Sequence, residues 1–301
     1  MNSVVKPLIN VAIIGCGDIG CLVAQRLKNI SYTVTGYARS ASSIARMSLI
    51  GIGSKAFDLD SLALEKPNSL SLFDKQLVFY FAPPPTKGCS DTRMRSWLAS
   101  LNINHLPQRI VYISTTGVYG DHQGRSVDET TMVNPQSDRA KRRLDAEQAL
   151  TQFALEYSIE YIILRVPGIY GADRLPRQRL IAQTPILHPQ VSPITNRIHE
   201  DDLAQICVAA ALKSNSGEIY NVSDGENMTM SDYFIQVAEY LNLPQPPRIS
   251  WYEAESNLSE GMLSYLKESR LIDNSKLLSS LNIKLKYPSL SQFFSSTTLK
   301  D

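Results

Sequence analysis

The sequence is short of the features that define several large protein classes. Its four cysteines (Cys16, Cys21, Cys89, Cys207) are scattered among 301 residues, with no C-x-x-C pair and no histidine at ligand spacing. That excludes a disulfide framework and a zinc site, leaves no metal to expect, and points to a reducing, cytoplasmic compartment. Charge of one sign is lacking too: 30 Lys and Arg against 29 Asp and Glu leave a formal charge of +1, so no nucleic-acid partner is expected. No apolar run approaches the roughly 20 residues that cross a membrane, and the apolar stretch at 11–14 runs into glycines rather than a cleavage site. The chain is expected neither to be secreted nor to meet a membrane. With 43 % hydrophobic and 20 % charged residues and only 15 Gly and 16 Pro, disorder, collagen and coiled coil are excluded as well.

Short apolar runs rich in Val, Ile, Tyr and Phe recur at 8–14, 32–37, 77–81, 109–114 and 159–164, with helical stretches between them. Such alternation is the pattern of a parallel sheet, and runs apolar on both sides are strands covered by helices on both faces. Expected helices are 18–29, 40–49, 91–103 and 138–157, the first and the last two opening with an Asp able to cap free amides. After Pro167 the chain is proline-rich through Pro193; a helix at 201–213, an apolar run at 218–222, the turn signal Asp224-Gly225 and a mainly helical tail follow.

Gly15-Cys16-Gly17-Asp18-Ile19-Gly20 is G-x-G-x-x-G placed directly after the first strand and opening the first helix. In that context glycines permit the tight turn, let backbone approach a pyrophosphate and pack the helix against the sheet, while the helix start favours an anion. A bare strand-to-helix connection is the competing reading, and the surrounding βαβ pattern decides for a dinucleotide. About 20 residues on, where a binder of NAD presents an acid to the ribose hydroxyls, this chain has Tyr37-Ala38-Arg39-Ser40. With no carboxylate there and Arg39 able to grip a 2′-phosphate beside Ser40, NADP(H) is expected ahead of NAD(H). Arg39 as a solvated loop charge is the alternative.

Further segments bear on family. Ser114-Thr115-Thr116-Gly117-Val118-Tyr119-Gly120, Leu164-Arg165-Val166-Pro167-Gly168-Ile169-Tyr170-Gly171, Asn196-Arg197-Ile198-His199-Glu200-Asp201-Asp202-Leu203-Ala204 and Ile219-Tyr220-Asn221-Val222-Ser223-Asp224-Gly225 follow the glycine loop in order. Together they resemble the motifs of extended short-chain dehydrogenases/reductases, the NAD-dependent epimerase/dehydratase group, over about residues 11–233, and more closely an atypical subgroup. The resemblance implies an α/β, doubly wound parallel-sheet Rossmann fold with a smaller C-terminal substrate lobe. The expected division is a dinucleotide domain at 1–170, with 198–222 returning to it, and a substrate lobe at 171–197 and 223–301.

The departure from that family is at its centre. Typical members carry P-x-x-x-Y-x-x-x-K-x-x-x-E on the long helix; here Pro135 is followed by Arg139, Arg143 and Glu147, so arginines stand at the Tyr and Lys positions. In the family the tyrosine exchanges a proton with the substrate oxygen, helped by the lysine. Arginine stays protonated, with a pKa above about 12, so Arg139 cannot be that acid or base. Arg143 could still hold the nicotinamide ribose, and both could favour an anionic substrate. Otherwise Arg139, Lys141, Arg142 and Arg143 form a solvated basic face with an Arg143 to Glu147 pair at helical spacing.

Candidate proton donors or substrate hydrogen-bonders are Ser114, Thr115 and Thr116, then Tyr119 and Tyr170; strand-end hydroxyls and wall aromatics are their structural readings. Ala82 and Pro83, opening the run Ala82-Pro83-Pro84-Pro85 after the third apolar strand, should border the cofactor at the sheet's carboxyl edge. His199, Asp201 and Asp202 are expected to begin a helix, with one of the two aspartates capping. The functional expectation is an NAD(P)-dependent oxidoreductase or epimerase/dehydratase-like enzyme with non-standard acid/base groups, acting on a small or sugar-nucleotide-like carbonyl compound, as monomer or homodimer. The alternative is a non-catalytic NADP(H)-binding sensor or scaffold.

Overall fold

The computed structural model describes residues 10–62 and 68–297, so Leu8 and Ile9 of the first expected strand lie outside the described part. The chain divides into two compact units, residues 1–115, 138–165 and 203–220 in one and 116–137, 166–202 and 221–301 in the other. Residues 116–137, expected within the dinucleotide domain, therefore group with the second unit.

The first unit runs β1 (Asn10–Ile14), α1 (Asp18–Asn29), β2 (Thr33–Ala38), α2 (Ala41–Leu49), β3 (Gly53–Ala56), β4 (Leu77–Tyr80), α3 (Thr92–Ser100), β5 (Arg109–Thr115) and α4 (Asp138–Tyr157), followed by strands Glu160–Val166 and Glu218–Asn221. Across the seven-stranded sheet the order is Glu218–Asn221, Glu160–Val166, β5, β4, β1, β2, β3. β1 pairs in parallel with both β2 and β4, β2 with β3, and β4 with β5. Because the chain leaves the β3 edge and re-enters beside β1 as β4, winding reverses there, and the carboxyl ends of β1 and β4 mark the switch point at which doubly wound sheets bind their ligands.

Burial explains which strands were legible. Val11 to Ile14 are at most 1 % exposed and all of β4 is buried, as strands covered on both faces must be. β3, by contrast, is Gly-Ser-Lys-Ala on an exposed edge, so no apolar run marks it. Between β4, β5 and α3 lies an aromatic core in which Trp97 packs at 5.1 Å from Tyr80 and 5.9 Å from Phe73, ring centre to ring centre. Asp91 caps α3 through the Met94 amide at 3.0 Å, whereas α1 begins with Gly17 as its cap residue and no side-chain cap.

The long α4 buries Ala146, Leu150 and Ala154 against this core. Its Glu147 does not pair with Arg143 as helical spacing suggested. Instead Glu147 accepts two hydrogen bonds from Arg165 (Nε to Oε1 3.2 Å, Nη2 to Oε2 2.8 Å), with both side chains 5 % exposed. Arg142, expected in solvent, is also buried, and its Nη1 donates to the Gly88 carbonyl, tying the loop after β4 to the helix. Lys141 stays on the solvated face, 3.7 Å from Asp138.

The second unit carries helices Met230–Tyr240, Trp251–Asn257, Glu260–Leu266, Ser275–Leu281 and Leu290–Ser296 with short strand pairs, among them Arg197–His199 parallel to Gly168–Tyr170. Its apolar cluster includes Tyr170, Leu180, Phe234, Val237 and Phe293. Neither expected aspartate caps the helix Glu200–Lys213: His199 Nδ1 accepts from the Asp201 amide at 3.1 Å, while Asp202 accepts from the Lys286 and Tyr287 amides at 2.7 and 2.8 Å. Burial lowers His199 to about 4 and pushes the Asp224 carboxyl, 6 % exposed, up to about 8.

Two outcomes follow from these buried charges. Arg165→Met leaves Glu147 buried without its partner and should cost about 3–5 kcal/mol in urea unfolding, whereas adding Glu147→Leu should recover part of that loss. Because the folded pKa of Asp224 lies above its unfolded value, its contribution is fully present below about pH 4 and is lost as pH rises through about 8. Asp224→Asn should therefore gain stability relative to the natural protein as pH is raised across that window; a pH-independent difference would contradict the assignment.

Candidate functional site: a glycine turn at the carboxyl edge of the sheet

The three glycines after β1 do three different things. Gly15 has φ +77, and a Cβ there would stand 2.4 Å from the Ala82 nitrogen and 2.5 Å from its Cα, so the turn exists only with glycine. Its amide and that of Cys16 both donate to the Tyr37 carbonyl, at 2.9 and 3.0 Å, pinning the turn to the end of β2. At Gly20 a Cβ would press on Cys16 Sγ at 3.0 Å and Ile13 Cγ2 at 3.2 Å, so this glycine sets how closely α1 approaches β1. At Gly17 the nearest atom to such a Cβ is the Gly15 oxygen at 4.0 Å, and the space above the turn is open.

That open face is where α1 begins without a side-chain cap. Backbone amides at a helix start, unshielded by a side chain, suit a phosphate oxygen. Asp18, the acid closest to the turn, forms an ion pair with Arg46 on α2, which offsets its charge. The turn leaves room for the diphosphate of a dinucleotide, and Gly15, Cys16, Gly17, Asp18, Ile19 and Gly20 are the residues that could line it, although the amides of Gly15, Cys16 and Gly17 are taken by the Tyr37 and Gly15 carbonyls.

Ala82, beside Gly15, is brought to this turn as expected for the loop after β4, and Pro83 follows it. The loop is held by Arg93, whose Nη1 donates to the Pro83 carbonyl at 3.1 Å. Arg93 also grips Asp60 with two bonds of 2.6 and 2.7 Å, and Arg39 reaches the same carboxylate at 3.1 Å. Arg93 and Arg39 together hold the Asp60 carboxyl below its usual range. A carboxylate thus stands near the end of β2 after all, delivered by the loop beyond β3, and Arg39 is not a free cation. Ser40 is the cap of α2, accepting from the Ser43 amide at 3.3 Å.

At the end of β5, Ser114 is buried with its Oγ unpartnered among the described residues, and Thr115 is half-buried next to it. Arg143 turns toward this strand, donating to the Ile113 carbonyl at 2.9 Å and to the Tyr112 hydroxyl at 3.3 Å. Burial pushes that hydroxyl up to about 12 despite the guanidinium. Arg139, one turn earlier, is half-buried. Both tyrosine candidates are turned into the protein. Tyr119 is fully buried and gives its proton to Asn221 Oδ1 at 2.8 Å, and Tyr170, equally buried, points to the Tyr287 carbonyl at 3.4 Å. Thr116 is buried in the short helical turn after β5. Asp60 and Arg93 carried no signal in the sequence, since both come from outside any apolar run and meet only in the fold.

Residues 91–223 match the profile described as "NAD dependent epimerase/dehydratase family". That segment is similar to the family's domain. Among curated epimerase/dehydratase relatives and others alike, it is 25 % identical to "Protein YeeZ" of Escherichia coli (strain K12) over 282 residues, 92 % of this chain and 96 % of that protein. A functionally unknown conserved protein from Silicibacter pomeroyi superimposes with a TM-score of 0.81 at 25 % identity, covering 95 % of this chain and 97 % of the other. The UDP-glucuronic acid 4-epimerase of Bacillus cereus, in complex with NAD, superimposes with a TM-score of 0.75 at 20 % identity over 95 % and 96 % of the two chains, a likeness of fold. The epimerase/dehydratase segment begins at residue 91, so the glycine turn lies outside it and stands on its own geometry. Among the described residues no His, Cys, Asp and Glu cluster could hold a metal ion, and no helix is long and apolar enough to cross a membrane.

The glycine roles separate by stability. Gly15→Ala should cost about 2 kcal/mol or more, through its left-handed backbone and the collision with Ala82, whereas Gly17→Ala should cost about 1 kcal/mol or less. Chemical denaturation of the two variants reads this directly; equal losses would contradict the division of labour.

Proposed function

We propose that this protein binds a nicotinamide dinucleotide across the glycine turn and acts as an oxidoreductase or epimerase-like enzyme on a small or sugar-nucleotide-like carbonyl compound, using groups other than a Tyr/Lys pair. The observation that carries the reading is the turn itself: Gly15 closed against Ala82, Gly17 open, and α1 starting without a side-chain cap. The epimerase fold neighbour solved with NAD supports it by analogy of fold. When bound, the nicotinamide supplies or accepts a hydride.

The chain's own contributions are positioning and polarisation. Arg143, held on the Ile113 carbonyl at the end of β5, is our candidate to donate to the ribose or to an anionic group, and half-buried Thr115, beside the buried Ser114, is our candidate to hydrogen-bond a substrate oxygen. Neither arginine moves a proton at neutral pH, so protonation falls to a hydroxyl or to water. The same fact supports a second reading, a dinucleotide-binding sensor, because Tyr119 and Tyr170 are both buried.

For the cofactor, the proposal is NADP(H) ahead of NAD(H). Asp60 keeps its two bonds to Arg93 if Arg39, whose side chain is 65 % exposed, swings to a 2′-phosphate. Arg39→Ala should then weaken NADPH binding about tenfold or more, the worth of a charged hydrogen bond, and leave NADH binding unchanged. Equal effects on both nucleotides would refute the preference. Sustained NADPH oxidation against a panel of aldehydes, ketones and nucleotide sugars would establish the enzyme; binding without turnover on any of them would leave the sensor.

A further inference from the structure

One carboxylate and two arginines meet beside the end of β2, and the bonds among them are unequal. β3 pairs with β2 through Ala56 and Ala38, and the Phe57 amide donates to the Ala38 carbonyl at 3.0 Å, so the chain leaving β3 runs directly beside Arg39. Buried Leu59 anchors that segment in the core, and Asp58 shapes its turn by accepting from the Asp60 amide at 3.0 Å. Asp60 is thereby presented next to the place where a binder of NAD carries its acid.

Arg93, on the first turn of α3, takes this carboxylate with both prongs of its fork, Nε to Oδ1 at 2.6 Å and Nη2 to Oδ2 at 2.7 Å. Its remaining nitrogen, Nη1, donates to the Pro83 and Pro84 carbonyls at 3.1 and 3.4 Å. The Arg93 side chain is 18 % exposed and fixed at both ends. Arg39 has a single bond to Asp60, at 3.1 Å, made to the oxygen that Arg93 Nη2 already holds, and its side chain is 65 % exposed. A planar two-bond pair outlasts one exposed contact, so the carboxylate belongs to Arg93. An acid in this place selects NAD by accepting from ribose hydroxyls and repelling a 2′-phosphate; the same acid gripped by a guanidinium does neither well. The positive charge left over sits on Arg39, the arginine that can move.

We infer that Arg93 is a positioning residue that sets the choice between NADPH and NADH: by masking Asp60 it opens the end of β2 to a 2′-phosphate and leaves Arg39 to meet it. Masking of this kind presupposes that the glycine turn binds a dinucleotide, and it assigns part of the selection to a residue on α3 that acts through Asp60.

The test is calorimetric titration of NADPH and NADH into the full chain and three variants, with thermal unfolding to establish that each is folded. The natural protein should bind NADPH more tightly than NADH. Arg93→Met uncovers the carboxylate and should cut the ratio of NADPH to NADH affinity at least about tenfold, the worth of a charged hydrogen bond, by weakening NADPH and not NADH. Adding Asp60→Asn to it removes the uncovered charge and should restore most of the ratio, even though the Pro83 and Pro84 carbonyls still lack their donor. Asp60→Asn by itself should keep the ratio or raise it, and a fall overturns the masking even where Arg93→Met does not fold. If Arg93→Met weakens both nucleotides alike, or the double variant is no better than the single, Arg93 is only a support for the proline loop and the masking is overturned. A natural protein without preference for NADPH overturns it as well. A natural protein that binds neither nucleotide sinks the dinucleotide reading itself, whereas binding with a ratio that Arg93→Met does not move sinks the masking alone.

Discussion

The approach of one backbone to another at the end of β1 is the constraint on which the first unit depends. Gly15 must turn with positive φ directly against Ala82, and both its amide and that of Cys16 must reach the Tyr37 carbonyl. Three strands, β1, β2 and β4, are thereby locked at their carboxyl ends by one turn. Open backbone facing solvent at a helix start has a price in unsatisfied amides, and an anionic ligand is the natural way to satisfy them. What surrounds the turn, from the Asp60 ion cluster to the loop tied down by Arg93 and Arg142, is rigid support for that opening.

The basic run on α4 is the clearest case of similar residues used for different ends. Lys141 faces solvent, Arg142 bolts the loop after β4 to the helix, and Arg143 reaches the end of β5. Glu147, four residues on from Arg143, turns instead into the sheet to meet Arg165 in a buried two-bond pair. That pair anchors the helix, while the basic residues along it serve separate ends. Tyr119 donates to Asn221, and Tyr170 lies inside an aromatic cluster with His199 and Phe293.

Much of the first unit could be read from residues alone, because its strands are doubly covered and therefore uniformly apolar: Asn10–Ile14 and Leu77–Tyr80 announce themselves, and the helices Asp18–Asn29 and Asp138–Tyr157 end where their patterns do. What escaped was whatever depended on partners distant in sequence. β3 has no apolar run because it lies on an exposed edge, so the acid it delivers, Asp60, was invisible, and Arg39 read as unopposed. Local spacing suggested Arg143 to Glu147 and an aspartate cap before Leu203, but the Arg165 fork, 18 residues away, and the His199 ring won those contacts. The aromatic seats of Arg179 and Arg197 likewise exist only once the helix Met230–Tyr240 is laid beside them.

Whether the open face over Gly17 receives a diphosphate decides the account. Titration calorimetry of NADPH and NADH into the natural protein and into Gly17→Val, with circular dichroism to establish that both are folded, addresses it directly. The account predicts measurable heat for at least one nucleotide with the natural protein and none with the variant, whose side chain starts from a Cβ that meets no atom nearer than the Gly15 oxygen at 4.0 Å. No heat from either nucleotide with folded natural protein, or undiminished binding by Gly17→Val, would contradict it.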